Sequence, residues 1–190
     1  MYTDGSKTDN GVGSGFVVYH KNKRVHTDSI SLPDHTTVFQ AEIIAIFKAM
    51  LFMATYCGTH KVSYLKVLCD SQAAILALNS NRLKSKAVVK TIEALNTVAE
   101  QTISTRLEWV KAHIGIEGNE EADKAAREGA DTPDTTHHVD IPWTAKVNKV
   151  KAYSMSIWER QMEKHRRTQT NKTISTHTRF QQSQRYIKAI

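Results

Sequence analysis

Cysteine and long apolar runs are scarce in this chain of 190 residues. Its two cysteines, Cys57 and Cys69, are too few for a disulfide framework and lack zinc-binding spacing, so buried thiols in a reducing compartment are expected. No stretch reaches the ~18 consecutive apolar residues of a membrane span, and Met1 is followed at once by polar residues instead of an apolar leader. We therefore expect no membrane partner and an intracellular protein, in the cytoplasm or the nucleus.

Acidic residues are absent from the segment 164–190, which contains seven lysines and arginines. Because the residues before it contain 19 basic and 19 acidic side chains, the whole net charge of +7 belongs to this tail. The tail is also rich in Thr, Gln and Ser, so we expect it to be disordered and able to attract phosphates without specificity. A solvated terminal segment without a partner is the alternative.

The apolar pattern predicts one α/β domain. Residues 12–31 alternate between apolar and polar and are interrupted by a short polar stretch, which is typical of a β-hairpin. The elements expected after it are, in order, a buried helix over 39–52, a strand over 64–69, a helix over 71–78, a helix that begins after Ser85, a strand over 106–110 and a helix over 119–128 closed by Gly129.

Two further segments are expected beyond a domain that covers residues 1–131. Residues 132–142 are mostly polar and contain two prolines, which is typical of a linker. Residues 143–163 place apolar side chains near a helical stripe, so an amphipathic helix is predicted there.

Three carboxylates occupy positions that packing alone does not favour. Asp4 follows a strand start, Glu42 lies early in the apolar helix and Asp70 ends an apolar strand. A carboxylate beside a core is costly unless it is paired or binds a metal. Together with Asp123 from the last helix, these oxygens would suit Mg²⁺ or Mn²⁺ rather than zinc. A pair of such ions activates a water and stabilises the leaving oxygen of a phosphodiester.

Four segments of the chain resemble the successive signatures of the type 1 ribonuclease H family. They are Tyr2-Thr-Asp-Gly-Ser6, Gln40-Ala-Glu42, Cys69-Asp-Ser-Gln72 and the run from Trp109 to Asp123. The last of them, with the short linkers, is most similar to the ribonuclease H domains of non-LTR retrotransposon reverse transcriptases. The resemblance implies a three-layer fold with a five-stranded mixed sheet of order 3-2-1-4-5 flanked by helices.

The same resemblance implies a function and its residues. The expected activity is endonucleolytic cleavage of the RNA strand of an RNA–DNA hybrid by a monomeric domain, with Asp4, Glu42, Asp70 and Asp123 as catalytic metal ligands for two Mg²⁺ ions, which Mn²⁺ can replace. His113, in the loop before the last helix, would assist proton transfer or product release. The expected substrate contacts are Gly5, Ser6, Thr37, Gln40, Ser71, Gln72 and Asn119, with Thr37 at a DNA phosphate and the rest near the RNA 2′-hydroxyls. For Ser71, a helix cap is an equally good interpretation.

The chain departs from the family pattern at its start. Only three residues precede Asp4, whereas the family's first strand is longer, so we expect a truncated strand. The expected cause is that the chain is a fragment of a longer polyprotein, with an upstream reverse transcriptase domain, or that its gene was assigned an internal start. The alternative function is a catalytically impaired module that binds hybrid or connects to a polymerase.

Overall fold

The structure, a computed structural model, describes residues 1–82, 85–102, 104–112, 114–141 and 146–166. These residues form two units, Met1–Asp140 and Ile141–Ile190, of which the first contains the β-sheet. His113, the first residues of the predicted helix 143–163 and the predicted tail from residue 167 onward lie outside the described residues.

A five-stranded mixed sheet forms the centre of the first unit. Its strands are β1 (Tyr2–Lys7), β2 (Val12–His20), β3 (Lys23–Leu32), β4 (Tyr64–Cys69) and β5 (Ser104–Trp109). The strands lie in the order β3-β2-β1-β4-β5, with β1, β2 and β3 antiparallel and β1, β4 and β5 parallel, so the expected order 3-2-1-4-5 is confirmed. Lys21 and Asn22 both have positive φ angles, as the tight turn of the β2–β3 hairpin requires.

Strand β1 pairs very differently with its two neighbours. It pairs with β2 over all six of its residues, but with β4 only at Tyr2–Leu68 and Thr3–Cys69. Beyond these pairs, Met1 extends the contact, because its amino group donates to the Lys66 carbonyl and its carbonyl accepts from the Leu68 N–H. The strand therefore pairs with β4 over fewer residues than with β2.

Helices cover both faces of the sheet, which gives the expected three layers. They are α1 (Val38–Thr59), α2 (Gln72–Asn79), α3 (Lys86–Gln101) and α4 (Glu117–Asp131). Helix α1 lies on one face, where Ser14 Oγ donates a 2.6 Å hydrogen bond to the Ala41 carbonyl. The next residue along β2, Gly15, points to the opposite face and to the backbone of α4.

Each of the first three helices begins at a hydroxyl cap that the sequence contains. The side chains of Thr37, Ser71 and Ser85 accept hydrogen bonds from backbone N–H groups of the first turns of α1, α2 and α3. Helix α1 is long and apolar enough to cross a membrane, but it packs against the sheet and α3, and half of its most apolar stretch is buried. Its composition is thus that of a core helix.

Helix α4 differs from the prediction at its end. It continues through Gly129 to Asp131, and Gly129 is a site of close packing instead of a terminator. A Cβ atom at this position would lie 2.6 Å from the carbonyl oxygen of Ile30, so only glycine lets α4 approach β3 this closely.

The segment that follows α4 is packed against the domain rather than free as a linker. We call residues 132–140 the strap. The backbone N–H of Thr136 donates to the Ser31 carbonyl, and its side-chain Oγ1 accepts from the Ser31 N–H. Val139 is only 5% exposed, as part of the apolar core. The prediction of a linker was therefore wrong for residues 132–140. This segment has no helix or strand of its own, but its contacts with β3 and α1 hold it against the domain.

In the second unit, residues 146–166 are helical, in agreement with the described part of the predicted helix. Its large apolar side chains Val150, Tyr153 and Trp158 are exposed.

Candidate active site

Four carboxylates from four different elements meet at one end of the sheet. Asp4 lies in β1, Asp70 follows β4, Glu42 lies in the second turn of α1 and Asp123 lies in α4. Because β1 and β4 are parallel neighbours, Asp4 and Asp70 come to the same edge. The charge of Asp70 acts on both Asp4 and Glu42, and Asp4 shares a hydrogen bond with Asp123.

Two of these carboxylates are nearly inaccessible to solvent. Asp4 and Glu42 are 6% and 5% exposed. Burial and the negative charges of Asp70 and Asp123 raise the pKa of Asp4 to about 7. Burial and the charges of Asp4 and Asp70 raise the pKa of Glu42 to about 9. Both side chains are therefore held where ionisation is unfavourable without a compensating positive charge.

Asp70 is fixed by contacts with β5 and α4. The indole N–H of Trp109 donates a 2.9 Å hydrogen bond to the backbone carbonyl of Asp70. The side-chain amide of Asn119 donates to Asp70 Oδ2 at 3.4 Å. Asn119 is 2% exposed, and its Oδ1 has no hydrogen-bond partner among the described residues. A buried acceptor without a partner beside an acidic cluster is consistent with a site that binds water or a hydrated ion.

Asp123 is held by α4 itself and by a cation one turn later. Arg127 Nη2 lies 2.8 Å from Asp123 Oδ2, and the Asp123 side chain is 14% exposed. The helix is tied to the β2–β3 hairpin through Glu121, which accepts from the Tyr19 hydroxyl at 2.6 Å and from Arg24 at 2.9 Å. These contacts fix the position from which Asp123 reaches the other acids.

The thiol of Cys69 lies inside the same cluster. It donates to Glu42 Oε2 at 3.8 Å, and ligand atoms of Glu42, Cys69 and Asp70 all lie within 4.8 Å of one another. Burial raises the pKa of this thiol to about 12, and the negative charge of Glu42 contributes. The sequence predicted buried thiols for both cysteines, which is confirmed for Cys69 but not for Cys57, which is half-buried. The contact of Cys69 with Glu42 was not predicted.

The donor set fits a hard divalent cation. Carboxylate oxygens provide all four predicted ligands, and magnesium, calcium and manganese prefer such oxygens. Burial first, and the charges of the neighbouring acids second, raise the pKa of Asp4 and Glu42, so a bound cation would favour the ionised form of both. The thiol of Cys69 is the exception, because a protonated sulfur is a poor ligand for such ions.

Close packing keeps Glu42 beside β1. A Cβ atom on Gly5 would lie 2.5 Å from the backbone nitrogen of Glu42, so the start of α1 lies directly on this strand. The absence of a side chain at Gly5 thus allows α1 to place Glu42 beside β1.

The remaining predicted substrate residues have different surroundings. Ser6 is half-buried in β1, and Gln72 is exposed at the first position of α2. Ser71 caps α2, which confirms the structural interpretation of that residue. Thr37 and Gln40 form a reciprocal capping box at the start of α1, and Gln40 Nε2 also donates to the Asp140 carbonyl. His113 cannot be placed because it lies outside the described residues.

Sequence reasoning missed three neighbours of the acids: Trp109, Arg127 and the thiol of Cys69. Trp109 is 47% exposed and contacts the acidic cluster through the backbone carbonyl of Asp70. The spacing of Arg127, four residues after Asp123 on a helix, was the one available signal, because side chains at i and i+4 are neighbours.

Comparisons with known proteins agree on one family. The family model described as RNase H matches residues 1–131. Ribonuclease H1 of Rattus norvegicus is 31% identical over 144 residues, which cover 68% of this chain and 49% of the rat protein. Ribonuclease H of Anaplasma marginale (strain St. Maries) is 29% identical over 133 residues, which cover 67% of this chain and 86% of that protein. The chain thus spans about half the length of the rat relative.

Solved structures of low sequence identity share the fold. The RNase H1 of the halophilic archaeon Halobacterium salinarum NRC-1 aligns with a TM-score of 0.52 and 21% identity, over 67% of this chain and 93% of that one. LC11-RNase H1, solved in complex with RNA/DNA hybrid, aligns with a TM-score of 0.54 and 18% identity, over 68% and 94%.

Proposed function

Since this chain belongs to the RNase H family, we propose that it hydrolyses the RNA strand of RNA–DNA hybrids at the cluster of Asp4, Glu42, Asp70 and Asp123. The observation that carries the proposal is the convergence of four carboxylates from β1, α1, β4 and α4, two of them buried. The solved complex of LC11-RNase H1 with an RNA/DNA hybrid supports the substrate.

In the proposed reaction, a water oxygen attacks the scissile phosphorus and the bond to the ribose 3′-oxygen breaks. The products are a 5′-phosphate and a 3′-hydroxyl. Two Mg²⁺ ions, or Mn²⁺ in their place, would lower the pKa of the attacking water and neutralise charge on the phosphodiester. Asp4, Glu42, Asp70 and Asp123 would hold these ions, and the pairs Trp109–Asp70 and Arg127–Asp123 keep two of the carboxylates in place beforehand.

Discrimination of RNA from DNA would depend on hydrogen bonds to the 2′-hydroxyl. We assign these contacts to Gly5, Ser6, Gln40, Gln72 and Asn119, with Ser71 as a further candidate. His113 would exchange protons with the leaving group, as a side chain that titrates near neutral pH can.

Thr37 is the proposed contact for a phosphate of the DNA strand. Its exposed hydroxyl stands at the N-terminus of the 22-residue helix α1, whose first turn contains no acidic side chain. The ammonium group of Lys7 donates a 3.1 Å hydrogen bond to the Thr36 carbonyl. The helix dipole and this ammonium group together make the region around Thr37 favourable for an anion.

We further propose that the domain works within a retrotransposon polyprotein, joined to a reverse transcriptase domain, in the cytoplasm or nucleus. The similarity of the segment from Trp109 to Asp123 to the ribonuclease H domains of such elements supports this. The nucleotide sequence upstream of Met1 tests it, since an in-frame polymerase domain is expected there.

The activity is tested with a labelled RNA–DNA hybrid and the purified chain in Mg²⁺. We expect cleavage of the RNA strand only, and none of an RNA duplex or a DNA duplex. Asp70→Asn is expected to lower the rate by at least about 100-fold, whereas Asp9→Asn, an exposed acid of the β1–β2 turn, retains it.

Equal cleavage by Asp70→Asn would show that the active-site assignment is wrong. Stabilisation by Mg²⁺ and binding of the hybrid without cleavage would instead favour the catalytically impaired module.

A further inference from the structure

The strap covers one end of strand β3, which lies at the edge of the sheet. Its Thr136 exchanges two backbone-directed hydrogen bonds with Ser31, at 3.1 Å each, and the Ser31 hydroxyl donates to the Thr132 carbonyl at 2.9 Å. Such pairing protects an edge strand. If it were the strap's only role, its contacts would end at β3.

The strap continues past β3 to the start of α1. The ring of His35 shares a 2.8 Å hydrogen bond with the Val139 carbonyl, and Gln40 Nε2 donates to the Asp140 carbonyl at 3.1 Å. The side chain of Val139 itself is buried in the apolar core. The strap thus contacts His35, which precedes Thr37 in the chain, and Gln40, which follows it.

The connection between β3 and α1 has little structure of its own. Residues 33–37 form a turn closed by the Thr36 N–H and the Pro33 carbonyl at 2.8 Å. Lys7 holds the turn from β1 through the Asp34 and Thr36 carbonyls at 3.0 and 3.1 Å. The strap provides the second set of contacts, through His35 and Gln40.

We propose that the strap is a positioning element for the nucleic-acid contact at Thr37, holding the β3–α1 turn and the first turn of α1 in the geometry that receives a DNA phosphate. This inference rests on the proposed function, in which Thr37 binds the DNA strand. Val139 and Thr136 are its anchor residues. They act through His35, Gln40 and Ser31 and do not touch the reacting atoms.

The test uses Thr136→Val and Val139→Ala in the full chain. The first removes the hydroxyl that bonds to Ser31, and the second removes part of the buried anchor. We expect the KM for the hybrid to rise by about three- to ten-fold in each, with kcat and the half-saturating Mg²⁺ concentration within about two-fold of the parent values. A purely structural role would lower the unfolding temperature without this separation of KM from kcat.

Matched variants sharpen the comparison. Thr136→Ser retains the hydroxyl and should restore the parent KM, and Thr135→Val makes the same substitution at the neighbouring exposed residue and should leave KM unchanged. In a Thr37→Ala background, Val139→Ala should raise KM no further, because the contact that the strap positions is already absent. Hydrogen exchange of the backbone amides of residues 34–40 should be faster in Val139→Ala.

The outcomes separate the two proposals. If the parent chain neither binds nor cleaves the hybrid, the proposed function is wrong. Unchanged hydrogen exchange in Val139→Ala would show, independently of activity, that the strap does not hold the β3–α1 turn. If the parent cleaves and the exchange is faster, but the KM of both strap variants stays within two-fold of the parent, the positioning role is wrong. An equal rise in KM for Val139→Ala with and without Thr37 would also overturn it.

Discussion

The indole N–H of Trp109 donates a 2.9 Å hydrogen bond to the backbone carbonyl of Asp70. Trp109 is the last residue of β5, and Asp70 directly follows the neighbouring strand β4. Beside them, the Val110 N–H donates to the Cys69 carbonyl at 3.0 Å. The backbone that carries Asp70 is therefore attached to β5 by a side chain as well as by the sheet. A shift of this backbone would move the carboxylate relative to Asp4 and Glu42.

Trp109→Phe tests this attachment, because it keeps an aromatic ring and removes the N–H donor. We expect kcat/KM for the hybrid to fall by about two- to ten-fold, the factor that corresponds to one hydrogen bond of about 0.5–1.5 kcal/mol. Trp158→Phe, at an exposed tryptophan of the second unit, is the control and should match the parent. Parent-like activity of Trp109→Phe would mean that the remaining contacts of Asp70, in the sheet and with Asn119, position it without the indole.

Asp4→Asn should make the metal-free protein more stable while it abolishes cleavage. At pH 8 the buried Asp4 carboxylate is ionised despite its raised pKa of about 7, and a neutral amide removes that unfavourable charge. A gain of about 1–3 kcal/mol in the free energy of unfolding is expected, measured by urea denaturation in EDTA. Asp123→Asn should bring no such gain, because it breaks the ion pair with Arg127.

The pH dependence of stability should reflect the same acids. A carboxyl group whose pKa is raised on folding binds more protons in the native state, so its stabilising contribution is full below the unfolded pKa and is lost as the pH rises through the folded value. For Asp4 that window runs from about 3.8 to about 7, and for Glu42 from about 4.5 to about 9. We expect the unfolding temperature in EDTA to fall across these windows.

Two additions would identify the groups responsible. Glu42→Gln should flatten the part of the profile above pH 7, and saturating Mg²⁺ at pH 8 should raise the unfolding temperature because it binds the folded state alone. A flat profile in EDTA for the parent chain would contradict the burial of both acids.

The amino group of Met1 should change the stability in the opposite direction as the pH rises. Burial lowers its pKa from 8.0 to about 6, so between these values the unfolded chain binds more protons and stability rises with pH. Acetylation of the amino group removes the ionisation and should abolish this contribution between pH 6 and 8. The comparison of acetylated and free chains in the Asp4→Asn background, by thermal unfolding, measures it without interference from Asp4.

Gly15→Ala should destabilise the protein by about 3 kcal/mol, because the new Cβ would lie 2.3 Å from the Ala126 nitrogen and force α4 away from β2. The displaced helix carries Asp123, so activity should fall in the fraction that still folds. Gly58→Ala, in α1 with open space around its Cβ, should instead raise stability by about 0.5 kcal/mol. Equal stability of the two variants, by urea denaturation, would show that α4 tolerates the displacement.

Local patterns in the sequence were sufficient for the order of elements. Alternation identified the hairpin of β2 and β3, and the hydroxyls of Ser71 and Ser85 marked where α2 and α3 begin. Helix ends were harder to predict. Gly129 has the residue type of a helix terminator, and only the approach of the Ile30 carbonyl shows why a glycine stands there inside α4.

The four acids could be named from the sequence because each lies at a fixed place in its motif, but their surroundings could not. Whether a carboxylate is buried depends on what other elements place around it, so the exposure of Asp4 and its hydrogen bond with Asp123 follow from the packing of β1 against α4. The same holds for the thiol of Cys69, which reaches Glu42 across the space between β4 and α1.

The sequence by itself determined the family, the strand order that the family implies and the identity of the acids, because these depend on residue type and spacing along the chain. Tertiary structure alone decided that residues 132–140 pack as a strap and that Trp109 supports Asp70. It also decided that Asp4 and Glu42 are buried and are both affected by the negative charge of Asp70. Those relationships join residues tens of positions apart, and no local periodicity encodes them.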